Sequence, residues 1–268
     1  MRRKKSEKTL FFDIDGTLFA ATPSTVPDSA RRALKMAQEN GHLIFINTGR
    51  TFHMIPEIIK ELGFDGYVCG CGSQIYLHGE VLHSSVINHE LCMQIMELLR
   101  TCKISAFFEQ HNGIFYDGSA DFTTDKIERL KQALSMSDFT TFSKEWKASC
   151  TFAKFLAISH DFSDTETFLR FCENKFHCFR HNPRVWEVAQ KEYSKATGME
   201  FLLKHLGLSR EDSYAFGDSV NDLSMLQYAG TSVAMGNCMK EILPHCDYQT
   251  TDILEDGIHH AMEHFGLI

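Results

Sequence analysis

The feature that most restricts how this chain can fold is a recurring pair of signals. A short apolar run ends abruptly in polar or acidic residues, and an amphipathic stretch follows. Residues 9–13 read Thr-Leu-Phe-Phe-Asp, and residues 42–47 carry Leu-Ile-Phe-Ile before Asn47. Runs that do not alternate suit strands covered on both faces, the condition of a parallel sheet. Residues 27–40 place Ala30, Ala33, Leu34 and Ala37 at helical spacing, with Gly41 as a stop signal. Residues 52–62 predict another helix and residues 66–69 another strand. Strand and helix in alternation require crossover helices, which makes the core a doubly wound, Rossmann-like α/β fold.

The last third repeats the pattern. A helix is expected over residues 195–206, with Ser194 at its N-cap and Gly207 as its stop. Strands are expected at 213–216 and 231–234, and helices at 221–228 and 257–265. The middle differs. A hairpin is expected around His78-Gly79, and from about residue 87 to 187 helices and paired strands predict an inserted α+β unit. The expected organisation is therefore core over residues 1–84, a cap domain over 85–188, and core again over 189–268. At roughly 100–200 residues per domain, the 268 residues suffice for both.

In a doubly wound sheet, ligands sit beyond the carboxyl ends of the strands. There the sequence offers Asp13-Ile14-Asp15-Gly16-Thr17, then Asn47-Thr48-Gly49-Arg50, then Gly217-Asp218-Ser219-Val220-Asn221-Asp222. Asp13 and Asp15 lie two apart, so an extended strand turns both to one side. Two anions held close need a compensating cation or a proton. With Asp218 added, the donor set is all oxygen and favours a hard divalent ion, Mg2+ above others. Gly16 lets the backbone turn and approach a ligand, and Thr17 and Thr48 supply hydroxyl donors.

These segments resemble a known family. Residues 12–18, Phe-Asp-Ile-Asp-Gly-Thr-Leu, look like the first motif of the haloacid dehalogenase superfamily, and Thr48-Gly49-Arg50 resembles its second. Lys195, in Tyr-Ser-Lys-Ala, resembles the third motif, although Ala196 stands where glycine is usual and Lys191 lies nearby. Residues 217–222 resemble the fourth. Val233-Ala234-Met235-Gly236-Asn237 and Glu255-Asp256-Gly257-Ile258 resemble the Cof-type sugar-phosphate phosphatases, which carry a type IIB α/β cap between the second and third motifs.

The resemblance implies a Mg2+-dependent phosphatase of small phosphate monoesters, sugar phosphates foremost, working through an aspartyl-phosphate. Asp13 would be the nucleophile and Asp15 the general acid and base. Thr48, Gly49, Lys195 and Asn221 would hold the phosphoryl oxygens. Asp13, Asp218 and the Asp15 main-chain carbonyl would ligate the metal, with Asp222 behind them. Arg50, Glu109, His111, Asn112, His181 and Arg184, at turns or in the cap, would read the leaving group. A phosphosugar mutase on the same scaffold and an inactive phosphosugar-binding regulator are the alternatives.

Other classes are disfavoured. The formal net charge of -8 makes a poor binder of nucleic-acid phosphates. No apolar run approaches the roughly 18 residues that span a bilayer. The basic start lacks an apolar signal-peptide region. The nine cysteines are an odd number without a regular framework, and the chain reads as reduced and cytoplasmic. His177 with His181 and His260 with His264 have zinc-like spacing but no Cys-x2-Cys partner, so zinc is not expected. The expected partner is a small phosphorylated metabolite, bound by a monomer or weak homodimer.

Overall fold

The computed structural model describes residues 7–110, 113–116, 140–141 and 149–268. The chain forms two compact units: Met1–Arg50, Ile55–Ser84 and Tyr193–Ile268 make the first, and Thr51–Met54 with Ser85–Glu192 make the second. It opens with β1 (Thr9–Phe12), β2 (Ala20–Ala21), β3 (Ser24–Thr25), α1 (Asp28–Glu39), β4 (Leu43–Asn47), α2 (Glu57–Lys60), β5 (Gly66–Cys69), β6 (Gln74–Leu77) and β7 (Glu80–Ser84). The inserted unit adds α3 (His89–Thr101), β8 (Ser105–Gln110), β9 (Gly113–Tyr116), β10 (Thr140–Thr141), β11 (Lys154–Ile158), α4 (Thr165–Cys172), β12 (Phe176–Asn182) and β13 (Val185–Gln190). The chain then returns through α5 (Lys195–Leu206), β14 (Ser213–Gly217), α6 (Leu223–Tyr228), β15 (Thr231–Ala234), β16 (Tyr248–Gln249) and α7 (Gly257–His264).

The first unit is built on one sheet in the order β16-β15-β14-β1-β4-β5-β6-β7. The strands from β16 to β5 run parallel, and β6 and β7 close the edge antiparallel. β1 is buried at every residue, as an inner parallel strand must be. It lies between β4, the next long strand, and β14, which arrives some two hundred residues later. The succession of strands thus reverses beside β1, so the topological switch point, where ligands of such sheets sit, lies at the carboxyl ends of β1, β4 and β14.

The core holds those ends in place. Phe12 stacks on Phe216 of β14 at 4.5 Å between ring centres, and Phe11 stacks on Phe45 of β4 at 5.0 Å. Met199, Leu202 and Leu203 of α5 and Met225 and Leu226 of α6 pack in one cluster with Phe11 and Phe45. Each such side chain contributes roughly 1.5–3 kcal/mol on burial. The sequence expectation of an N-cap at Ser194 is met in full. Its hydroxyl accepts from the Thr197 N–H at 3.1 Å, the Thr197 hydroxyl accepts from the Ser194 N–H at 2.9 Å, and Gly207 ends the helix in the left-handed region at φ 66°. His78 and Gly79 both take positive φ, as the hairpin between β6 and β7 requires.

One expected helix is different. Residues 52–62 do not form a continuous helix but a 3-10 turn at Phe52–Met54 and the single turn of α2. Pro56 interrupts it: proline has no N–H to donate and pushes the residue before it out of the helical region.

In the inserted unit, the described strands lie in the order β10-β9-β8-β11-β13-β12. α3 and α4 pack one face through Ile95, Met96, Leu99 and Phe168 against Phe108, Phe155 and Trp186. On the other face of the sheet Lys154 stands directly across from Glu109.

Candidate active site

The sequence segments at the ends of β1, β4 and β14 meet in the first unit. β1 delivers Asp13, which is buried, and the next turn is closed by the Leu18 and Phe19 N–H groups on the Ile14 carbonyl. Gly16 takes φ +82°, and a Cβ there would stand 2.4 Å from an Asp218 carboxylate oxygen. Only glycine lets the first and last motifs come this close. Thr17 donates to Asp218 Oδ1 at 3.2 Å, which ties the two loops across 201 residues of sequence.

Lys195 is the first residue of α5 and is fully buried. A cation at a helix N-terminus faces an unfavourable dipole, so it needs anionic partners. It has two: Asp13 Oδ1 at 2.7 Å, and Asp222 Oδ1. The helix start is held by two close approaches. The Asn47 side chain donates to the Lys195 carbonyl at 2.9 Å, and Gly72 lies so near the Ser194 carbonyl that a Cβ would be 2.2 Å away.

Asp222 is committed on both oxygens. Oδ1 meets Lys195, and Oδ2 accepts from the Asp218 and Ser219 N–H groups at 2.9 Å each. It therefore braces both the lysine and the loop that carries Asp218. Asn221 accepts from the Ser219 hydroxyl at 2.7 Å within that loop. Thr48 is buried at the end of β4, where its hydroxyl accepts from the Arg50 N–H at 3.2 Å across Gly49. Arg50 turns back to hold both Asp15 oxygens at 2.7 Å, while about half of the Asp15 side chain stays exposed.

The electrostatics report a shortage of positive charge. Burial pushes the Asp13 carboxyl well above its ordinary range, against the pull of Lys195, and Asp222, Asp15 and Asp218 push it further. Burial and the Asp222 carboxylate push Asp218 up to about 7. Lys195 is held as a cation above the ordinary lysine range, because its two carboxylates outweigh the cost of burial. Four carboxylates face two cations, so the site would accept a further cation or a proton. Among the described residues, Asp13, Asp218 and Asp222 bring carboxylate oxygens within 4.8 Å of one another. The Asp15 side chain is not in that group.

Other residues singled out in the sequence lie elsewhere. Lys191 donates to the Glu173 carbonyl at 3.2 Å on the surface of the inserted unit, whereas Lys195 meets Asp13. Glu109 is buried, 3.5 Å from Lys154 and accepting from the Thr51 hydroxyl at 3.1 Å. His181 contacts Glu187 at 3.1 Å, and Arg184 pairs with Asp161 on the surface. His111 and Asn112 lie outside the described residues. Sequence reasoning assigned no role to Asn237, which donates to the Gly16 carbonyl at 2.8 Å and accepts from the Ile253 N–H at 3.0 Å. The signal was an asparagine just past β15, another strand end of the same sheet. Asn47 was likewise passed over; the signal was an amide closing a buried strand, where an unpaired polar group is costly.

The sequence matches the haloacid dehalogenase-like hydrolase family over residues 10–262. It is similar to 5-amino-6-(5-phospho-D-ribitylamino)uracil phosphatase YcsE of Bacillus subtilis, with 28% identity covering 97% of this chain and 96% of that one. It is also similar to pyridoxal phosphate phosphatase YbhA of Escherichia coli, with 26% identity covering 94% and 96%. Among solved structures it resembles the HAD subclass IIB sugar phosphatase BT4131, with TM-score 0.84, 29% identity, and coverage of 97% of this chain and all of that one. No described helix is long and apolar enough to cross a membrane. By these matches the chain is a phosphoric monoester hydrolase and belongs to the haloacid dehalogenase superfamily, in its Cof-type phosphatase branch.

Proposed function

We propose that this enzyme hydrolyses small phosphate monoesters, sugar phosphates foremost, in Mg2+, through an aspartyl-phosphate on Asp13. The observation that carries the reading is the Lys195 bridge between Asp13 and Asp222 beside the exposed Asp15. Lys195 fixes one Asp13 oxygen, so the carboxylate is oriented for in-line attack on phosphorus and need not reorganise during the reaction. Asp13 forms the bond to phosphorus, and the departing alkoxide takes a proton from Asp15. Asp15 then takes a proton from the water that cleaves the acyl phosphate, which returns Asp13 as a carboxylate and releases inorganic phosphate. Arg50 holds Asp15 from the solvent side and keeps its position between the two steps. Thr48, the Gly49 main chain, Asn221 and Lys195 supply the donors for the phosphoryl oxygens.

The donor set fits a hard divalent cation. It is all oxygen, it carries excess negative charge, and burial leaves Asp13 and Asp218 disposed to hold protons when no metal is bound. Asp13, Asp218 and the Asp15 carbonyl would hold it, with Asp222 bracing them through Lys195 and the loop. Mg2+ there would neutralise charge between the Asp13 carboxylate and the phosphate dianion.

The test is phosphate release from an aryl phosphate and from a panel of hexose, pentose and nucleotide monophosphates in Mg2+, with products checked for interconversion. Release is expected, and Asp13→Asn is expected to abolish it. Interconversion of sugar phosphates without release would mean a mutase. Binding without turnover across the panel would mean a regulator. Hydrolysis retained by Asp13→Asn would remove the covalent mechanism.

A further inference from the structure

We propose that Cys150, Met93 and Met96 of the inserted unit form a binding site for a soft monovalent metal ion, Cu(I), with the three sulfurs as its ligands. His89, Met93 and Met96 stand at positions i, i+4 and i+7 of α3, so they lie along one side of the helix. Cys150 meets that side from far along the sequence. Ile87 and Phe152 form an antiparallel bridge, with the Ile87 N–H on the Phe152 carbonyl at 2.8 Å, which lays residues 150–152 beside the start of α3. His89 fixes the position, because its ring Nδ1 donates to the Cys150 carbonyl at 3.0 Å. The Cys150 sulfur then lies 3.8 Å from the Met93 sulfur and 3.9 Å from the Met96 sulfur.

These three sulfurs share a single proton. A thiol has one S–H and a thioether only accepts, so Cys150 can donate to one methionine and leaves the other facing bare sulfur. Bonds of about 2.3 Å to one shared ion place sulfurs roughly 3.7–4.0 Å apart, at angles from tetrahedral to trigonal. Both separations from Cys150 fall in that range. Thiolate and thioether sulfurs select soft ions, and charge then selects among those. Cys150 supplies one negative charge and the thioethers supply none, so a monovalent ion makes a neutral site. A divalent ion would leave an unpaired charge among apolar side chains, which is costly. Those side chains are Ile95, Leu99 and Phe152, in whose cluster Cys150 and Met96 are buried. Met93 and His89 are half-buried and give an ion its way in.

Loading is an exchange. Cu(I) takes the place of the Cys150 proton, which passes to water, and no electron moves. Burial pushes the Cys150 thiol above its ordinary range, so the group is neutral without metal as well as with it. Cys92, on the same helix, is committed elsewhere: its thiol donates to the Ile87 carbonyl at 3.3 Å. The ligands all belong to the inserted unit, and the site does not depend on the phosphatase reading.

The experiment titrates the reduced full chain, without oxygen, with the coloured Cu(I) complex of bicinchoninate, and follows the methionine methyl signals by NMR. The unaltered chain is expected to withdraw Cu(I) from the dye. The first equivalent is expected to shift the Met93 and Met96 methyls, two of eleven, ahead of the rest. Cys150→Ser is expected to lose both shifts, and the double variant Met93→Leu, Met96→Leu to leave that equivalent with the dye. Zn2+ at the same concentration is expected to shift neither methyl. Withdrawal of Cu(I) without the two shifts, as binding at other thiols would give, would overturn the site. So would no withdrawal at all, or the same shifts in Cys150→Ser. Equal shifts with Zn2+ would overturn the selection of a monovalent ion. The methyl signals of the unaltered chain decide the matter even if a variant fails to fold.

Discussion

At the scale of single residues, the site is governed by Lys195. It is buried against two carboxylates, and an ion pair out of water is costly to break from one side only. Lys195→Met is expected to destabilise the protein by about 3–5 kcal/mol, read as a shift of the urea midpoint, because Asp13 and Asp222 are left buried without a cation. Gly16 is constrained twice, by its positive φ and by Asp218 at 2.4 Å from where a Cβ would stand. Gly16→Ala is therefore expected to lose most phosphate release by moving the Asp218 loop, with circular dichroism near that of the parent. The residue types at these positions were legible in the sequence: Asp13, Asp15, Asp218 and Lys195 stand where strand ends and a helix start were expected. Their pairing was not legible. Arg50 is expected from the sequence to read the leaving group, and its clasp on Asp15 is a contact that no local pattern shows.

At the scale of elements, the candidate site residues Asp13, Thr48, Lys195 and Asp218 sit where a strand stops or a helix begins. α5 shows how local signals fix such a point. Ser194 and Thr197 form a reciprocal cap and Gly207 ends the helix, so both ends are set by residues a few positions away. Ser194→Ala is expected to cost about 1 kcal/mol in thermal or urea unfolding, the usual price of a lost cap. It is also expected to lower phosphate release, because Lys195 follows directly. The stretch over residues 52–62 is where local reading failed. Its apolar spacing suits a helix, but Pro56 splits it, and the two short pieces fall in different units.

At the scale of the whole molecule, each unit carries its own buried ionic cluster. In the inserted unit, Lys154 pairs with Glu187 and approaches Glu109, and His181 reaches Glu187 from the outside. Burial raises the Glu187 carboxyl, but Lys154 and His181 outweigh it and hold it well below its ordinary 4.5. A carboxyl lowered on folding adds stability that is present above its unfolded value and lost as pH falls through the folded one. Glu187→Gln is therefore expected to destabilise by about 1.5–3 kcal/mol near neutral pH. The gap between variant and parent is expected to narrow as the pH falls below about 4.5, measured by unfolding across pH 2–7. From the sequence Glu109 and His181 are expected at turns that read the leaving group, and their ionic partners are not legible there, because nothing local shows that β8, β11 and β13 bring a lysine between two glutamates. By itself the sequence determined the alternation of strands and helices, the acidic strand ends and the helix caps, since these depend on neighbours within a turn or two. Only the tertiary structure decided which cation meets which carboxylate. Lys195 and Asp13 are 182 residues apart, and the order and register of the sheet, not any local pattern, bring them to 2.7 Å.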